Sequence, residues 1–448
     1  MLHDAIAFWP AALQSAPGPL TLEWALLLAL AALAGHLVQR FTGLPKILGY
    51  AVFGTAVGLA GFAGGAWPLH GVGLYLLELG IAVVLFEAGA RLSLRWFRHN
   101  PMVLVQSLVE ALLTFFAAYL MLRAMELDVP VARALAVVSV AASPAVLMRV
   151  VSDLRASGPV TDRAIALATL NTLYALTAGT AMLRSIDRGD TTMLASLASS
   201  AAVLGVSLLV GALLAALLVG AFKLLHPTSQ DTAIVILALI GACTAVTTPL
   251  GGSAPLATLL AGIVLKQLQP RPWVWPRQLG TAAAMLNVLM FVLVSLMAAQ
   301  ADWHGAITWA ALALVAARMA AKLLSLLLTG PASGLSLRQS LWVGVALVPM
   351  SSVALLLTSE FVVASHSVGA RVAAIALPVM LIRTARAPSI LVSSSWLEMA
   401  FFAAWTIRFS PLALPMPMWA IPPDSITVFT SAKSRLMVAG RAIRSEMP

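Results

Sequence analysis

At 448 residues, with 61% hydrophobic and 10% charged residues and a mean hydropathy of +0.97, the chain is far from a soluble domain, where about 25% of residues are charged. A single cysteine, Cys243, excludes a disulfide framework and a thiolate metal site. The net charge of +10 is spread over short loops, the pattern of membrane topology rather than of nucleic-acid binding. The composition leaves an all-α polytopic membrane protein with the lipid bilayer as its surroundings.

Residues 1–19 carry no basic stretch ahead of an apolar run and are interrupted by prolines. They read as an N-terminal extracytoplasmic segment rather than a cleaved signal peptide. Apolar stretches of spanning length, about 17–25 residues, then occur at Leu20–Val38, Ile47–Ala63, Val72–Ala90, Met102–Leu122, Val131–Val151 and Ala164–Leu183. Further stretches are Met193–Leu225, Thr232–Thr248, Pro255–Lys266, Leu279–Ala299, Ile307–Thr329, Leu337–Thr358 and Val368–Ile382, thirteen in all and the ninth of them short.

Loop charge supports that odd number. With thirteen spans, fifteen lysines and arginines, among them Arg91, Arg95, Arg98 and Arg149, fall on one side, against Arg123, Arg133, Arg184, Arg188 and Arg371 on the other. The positive-inside rule makes the first side cytoplasmic, with the N-terminus outside and the C-terminus inside a cell inner membrane.

Glu78 and Glu87 lie in segment three, Glu110 in segment four, and Arg318 and Lys322 in segment eleven. A charge at mid-bilayer costs about 2.5–3.5 kcal/mol on insertion scales, so such residues face a bundle interior or serve function. Arg318 and Lys322 are four apart and share a helix face. The alternative for both is that they snorkel to an interface.

Segment five contains Pro144 beside Ser139 and Ser143, and segment twelve contains Pro349 beside Ser351 and Ser352. Proline lacks an N–H and clashes with the preceding turn, so both helices are expected to break. Freed backbone groups survive in a bilayer only where protein or a water-filled cavity satisfies them. The two segments are seven apart and so run in opposite directions. Two interrupted segments at corresponding places in two halves point to an inverted-repeat transporter.

The succession of motifs resembles the monovalent cation–proton antiporters, the sodium/hydrogen-exchanger and Kef-type superfamily. The residues that carry the resemblance are GLPKILGYAVFG (Gly43–Gly54), LLELGIAVVLFEAGARLSL (Leu76–Leu94) and GGSAPLATLLAGIVL (Gly251–Leu265). MFVLVSLMAA (Met290–Ala299), AAKLLSLLLTG (Ala320–Gly330) and VPMSSVALLL (Val348–Leu357) follow in order. The resemblance spans essentially Leu20 to Leu381. It implies about thirteen transmembrane helices in inverted repeats, with segments five and twelve crossing as discontinuous helices within a moving core. It also implies a scaffold through which the protein forms a homodimer, and exchange of a monovalent cation, Na⁺ or K⁺, for protons.

In that family an aspartate in the sixth helix holds cation and proton in competition. Here segment six, AIALATLNTLYALTAGTAML, has no acid, and Asn171-Thr172 stand at the expected place. Lys322 matches the basic residue of the eleventh helix and is left without its usual counter-charge unless Glu110 or Glu87 supplies one. Asn and Thr can coordinate a cation but cannot take up and release a proton. The candidate ion- and proton-binding residues are therefore Asn171, Thr172, Ser143, Ser351, Ser352, Glu78, Glu87, Glu110, Arg318 and Lys322, with Pro144 and Pro349 as the helix breaks.

Three readings follow. In the first, the chain is an antiporter whose titrating group has moved to Glu110, Glu87, Glu78 or Lys322. In the second, it is a transporter-fold protein that has lost proton coupling and is a passive cation path, a sensor or inactive. In the third, it is a membrane scaffold with structural kinks. An enzyme is not expected, since no G-x-S-x-G or metal-ligand spacing occurs, and no cofactor is implied. The transmembrane domain is read as 20–382. The tail, 383–448, lacks G-x-G-x-x-G and has frequent prolines and serine clusters. Within it Trp396–Phe409 could form a short interfacial helix, and no function is assigned to the tail.

Overall fold

Long apolar runs bounded by Pro, Gly and Arg can satisfy their backbone in lipid only as helices, and helix is what they form. The computed structural model describes residues 18–60, 71–154, 156–188, 193–225, 229–269, 277–299, 305–350 and 352–380, and no strand occurs among them. The first helices are α1 (Gly18–Thr42), α2 (Lys46–Leu59), α3 (Gly71–Arg91), the short α4 (Leu94–His99) and α5 (Pro101–Ala124). Next come α6 (Val129–Val140), α7 (Pro144–Leu154), α8 (Pro159–Arg188), α9 (Met193–Leu224), α10 (Gln230–Thr247) and α11 (Ala254–Leu268). The last are α12 (Arg277–Ala299), α13 (Gly305–Thr329), α14 (Leu337–Ala346), α15 (Ser352–Ala364) and α16 (His366–Met380). Helix occupies part of every one of the thirteen apolar stretches. Among the described residues, seven helical segments are long and apolar enough to cross a membrane, and five apolar helices are shorter.

Both expected interruptions are present. Segment five divides into α6 and α7, with Ala141, Ala142 and Ser143 unwound and Pro144 opening the second half. Proline suits a first helical position because its missing N–H has no intrahelical partner there. Ser143 steadies the restart, accepting a hydrogen bond from the Val146 N–H at 3.2 Å. Segment twelve divides into α14 and α15, with Val348, Pro349 and Met350 outside either helix. A reciprocal cap between Ser336 and Gln339 fixes the start of α14.

Packing sorts the helices into two groups. In one, α3 lies against α11, α11 against α9, and α2 against α1 and α12. In the other, α5, α6, α13, α14, α15 and α16 pack on one another, and α8 contacts both groups. Small residues set the closest approaches. A Cβ on Gly89 of α3 would sit 2.1 Å from the Leu259 carbonyl of α11, and one on Gly262 of α11 would sit 2.3 Å from the Phe86 carbonyl. Only glycine permits that backbone contact, which gives the FEAG and small-residue motifs a packing reason. Leucines such as Leu26, Leu30 and Leu33 on α1 and Leu209 and Leu213 on α9 face outward, as suits a lipid-facing wall. Residues 383–448, including Trp396–Phe409, lie outside the described residues.

The second half of segment five, α7, is tied to α2 through side chains. The Asp153 carboxylate of α7 accepts the Lys46 N–H at the head of α2 at 3.0 Å, and Arg149 lies 3.4 Å from the same carboxylate.

Candidate functional site

The site begins with the carbonyls that the two breaks set free. A helix that stops leaves its last carbonyls without partners and with partial negative charge, and here the ends of α6 and α14 do so in the interior. Arg318 of α13, only 2% exposed, serves both. Its Nε donates to the Ser139 carbonyl at 2.9 Å, its Nη2 to those of Ala141 at 2.9 Å and Pro349 at 3.4 Å, and its Nη1 to that of Val348. A planar guanidinium with five donors can bridge two chain ends in this way; an ammonium cannot reach as many. The snorkelling alternative for Arg318 does not hold, because four backbone carbonyls hold its head inside the bundle.

One turn along α13, Lys322 is fully buried and its Nζ lies 2.5 Å from the Glu110 carboxylate of α5, itself fully buried. The same ammonium approaches the Val140 carbonyl at 3.5 Å. Glu110 receives two further donors: the Thr114 hydroxyl at 3.1 Å and the amide nitrogen of Asn171 on α8. Thr172, the neighbour of Asn171, offers its single hydroxyl proton to the Ala142 carbonyl at the α6–α7 break (2.8 Å) and to the Ala168 carbonyl of its own helix (2.9 Å). Asn171 and Thr172 are both fully buried. The crossing therefore gathers Glu110, Lys322, Arg318, Asn171, Thr172 and both helix breaks in one place.

Not every candidate joins it. Glu87 pairs with Arg91 of its own helix at 2.7 Å, and both side chains remain partly exposed. Glu78 lies 3.5 Å from the Thr248 hydroxyl and lines a separate cavity of about 320 Å³ with Arg184, Ser253 and Glu360. Ser143 is a helix cap, Ser352 is buried at the start of α15, and Ser351 lies outside the described residues.

A second cavity, also about 320 Å³, opens at the arginine-rich end between Arg91, Ser93, Trp96, Asp162 and Ala166. Ala166 precedes Asn171 by five residues, a rise of about 7.5 Å along α8. The Glu78 cavity meets α8 at Thr180, about 13.5 Å beyond Asn171 on the same measure.

A family model described as "sodium/hydrogen exchanger, transmembrane" matches residues 25–398. The chain belongs to the sodium/hydrogen exchanger family. The fold agrees. The structure of the sodium proton antiporter MjNhaP1 from Methanocaldococcus jannaschii at pH 8 superposes with a TM-score of 0.66 at 15% identity, covering 89% of this chain and 99% of that one. An electron-microscopy map of the same antiporter gives 0.65 at 16% identity, with 90% and 100% covered. No curated protein sequence matches this one. Membership sets the chain among membrane exchangers rather than enzymes.

The resemblance puts the family's aspartate at Asn171-Thr172 of α8, and there the Thr172 hydroxyl donates to backbone carbonyls. The carboxylate facing Lys322 comes from α5 instead. Two residues escaped the sequence reading. Glu360 escaped because segment twelve was ended at Thr358, whereas α15 runs on to Ala364. Gln106 escaped because one uncharged polar residue in segment four does not stand out beside Glu110. Its spacing was the available signal: Gln106, Glu110 and Thr114 recur every fourth residue and form one polar stripe on an apolar helix.

Proposed function

We propose that this protein exchanges a monovalent cation, Na⁺ or K⁺, for protons, with Glu110 as the carboxylate for which they compete. The observation that carries this reading is the Glu110–Lys322 pair, 2.5 Å apart with neither side chain exposed. Ionisable groups at membrane depth are expensive and serve function by default. A carboxylate can hold a proton or a dehydrated cation, but not both. In the described state the Lys322 ammonium occupies the place of the cation. The proton that a cation displaces from the Glu110–Lys322 pair leaves the charge of the site constant, so one cation is taken for one proton released. Arg318 keeps its charge throughout and holds the crossing together.

We orient the arginine-rich end toward the cytoplasm of a cell inner membrane on the asymmetry of the loop charges. In this orientation the cavity at Asp162 is the nearer approach to Asn171, from the cytoplasmic side.

A second reading, a transporter-fold protein that has lost proton coupling, draws on Thr172, since no acid stands in α8 at the crossing. A cation-driven ΔpH assay in everted vesicles or proteoliposomes separates the two. Imposed Na⁺ or K⁺ gradients are expected to move protons, and Glu110→Gln to abolish that movement while the protein still inserts and folds. Exchange that persists in Glu110→Gln excludes Glu110; cation flux without proton movement in the parent selects the second reading.

A further inference from the structure

Gln106 lies four residues before Glu110 on α5, on the same helix face, with its side chain fully buried. Among the described residues neither its carboxamide oxygen nor its nitrogen has a hydrogen-bond partner. Folded proteins pair the great majority of buried polar atoms, and an amide with both ends unpaired beside a buried carboxylate is an unusual expense for a purely structural residue. A second atom nearby shares the property. Asn171 spends its nitrogen on Glu110, and its Oδ1 is buried without a partner. Two neutral oxygens thus stand near the Glu110 carboxylate, one a turn along α5 and the other on α8.

We infer that Gln106 is a cation ligand, supplying with Asn171 Oδ1 the neutral oxygens that replace water around a monovalent cation at Glu110. This rests on the reading that Glu110 is the exchange carboxylate. A hard cation that gives up water needs several oxygens, and one carboxylate supplies two. A carboxamide adds an oxygen without adding charge, so the charge balance between Glu110 and Lys322 is kept while affinity and ion ranking are set beside it. Along α5, Gln106 lies on the Arg91–Arg98 side of Glu110, the side on which the Asp162 cavity opens.

The test uses the full chain in proteoliposomes, with Gln106→Met, close to glutamine in length and shape, and Gln106→Leu as a second apolar variant. Both remove two unpaired polar atoms and are expected to fold at least as well as the parent by thermal melting. For exchange, the half-saturating Na⁺ or K⁺ concentration is expected to rise tenfold or more, with the maximal rate within about threefold. NaCl and KCl titrations of the detergent-solubilised protein are expected to lose their thermal stabilisation over the same range. An unchanged half-saturation and unchanged ion ranking in either folded variant overturns the proposal, because a residue that only packs would alter stability alone. The two readings fail separately. If Glu110→Gln still exchanges, the Glu110 reading falls; if Glu110→Gln is inactive while Gln106→Met keeps the parent's half-saturation, only the ligand role of Gln106 falls.

Discussion

Glu110 and Glu87 are both glutamates of apolar helices, and each meets a base at nearly the same separation, 2.5 Å to Lys322 and 2.7 Å to Arg91. Distance does not distinguish them. Glu110 and Lys322 have no exposed side-chain area, whereas Arg91 and Glu87 keep 47% and 28% of theirs. The first pair also joins two helices 212 residues apart in sequence, and the second spans one turn of a single helix. An ion pair in a low-dielectric interior barely recovers the cost of stripping water from its charges, so its retention in such a place calls for a use. A half-exposed intrahelical pair calls for none. Burial and sequence separation, more than the ion pair itself, single out Glu110.

The sharpest way to break the buried side of the comparison is at Arg318, which holds both helix ends. Arg318→Gln leaves at least two of the four carbonyls it serves without a donor, and removing one partner from a buried charged network costs about 3–5 kcal/mol. The variant is expected to melt well below the parent in detergent and to insert poorly. Arg318→Lys restores the charge without the fork and should fall between the two. A Gln variant that melts with the parent would show that the two breaks are held by something else.

The breaks were legible because proline acts locally: Pro144 and Pro349 remove donors and block helix wherever they stand, whatever packs around them. The spans were legible because lipid imposes length and composition. Which acid faces Lys322 was not legible. Glu78, Glu87 and Glu110 each sit in an apolar helix, and only the packing of α5 on α13 brings one of them to the lysine. The same holds for Gln106, whose meaning depends on the neighbours it lacks. That the Thr172 hydroxyl donates to Ala142 and Ala168 depends on how α8 passes the unwound turn.

A gentler test restores the acid to α8. In Thr172→Asp the hydroxyl donor becomes a carboxylate facing the Ala142 carbonyl at a fully buried position. Two acceptors tolerate that approach only with a proton or a cation between them. The variant is expected to exchange with a steeper pH dependence than the parent, read as the initial rate of ΔpH formation across a pH series. A well-folded variant with the parent's profile counts against assigning Thr172 the aspartate's position.

The smallest effect is expected on the exposed side. Glu87→Gln removes an i,i+4 pair from α3 whose members both reach solvent, and such pairs are worth about 0.3–0.5 kcal/mol. Arg91 keeps water as its alternative partner, so no buried charge is stranded. The variant should therefore melt within a degree or two of the parent and exchange within twofold of its rate, with half-saturation unchanged. A large loss of exchange in Glu87→Gln, with Glu110→Gln still active, would move the titrating group to α3. Proton and cation would then meet near the arginine-rich surface, and the buried pair at the crossing would revert to a structural brace.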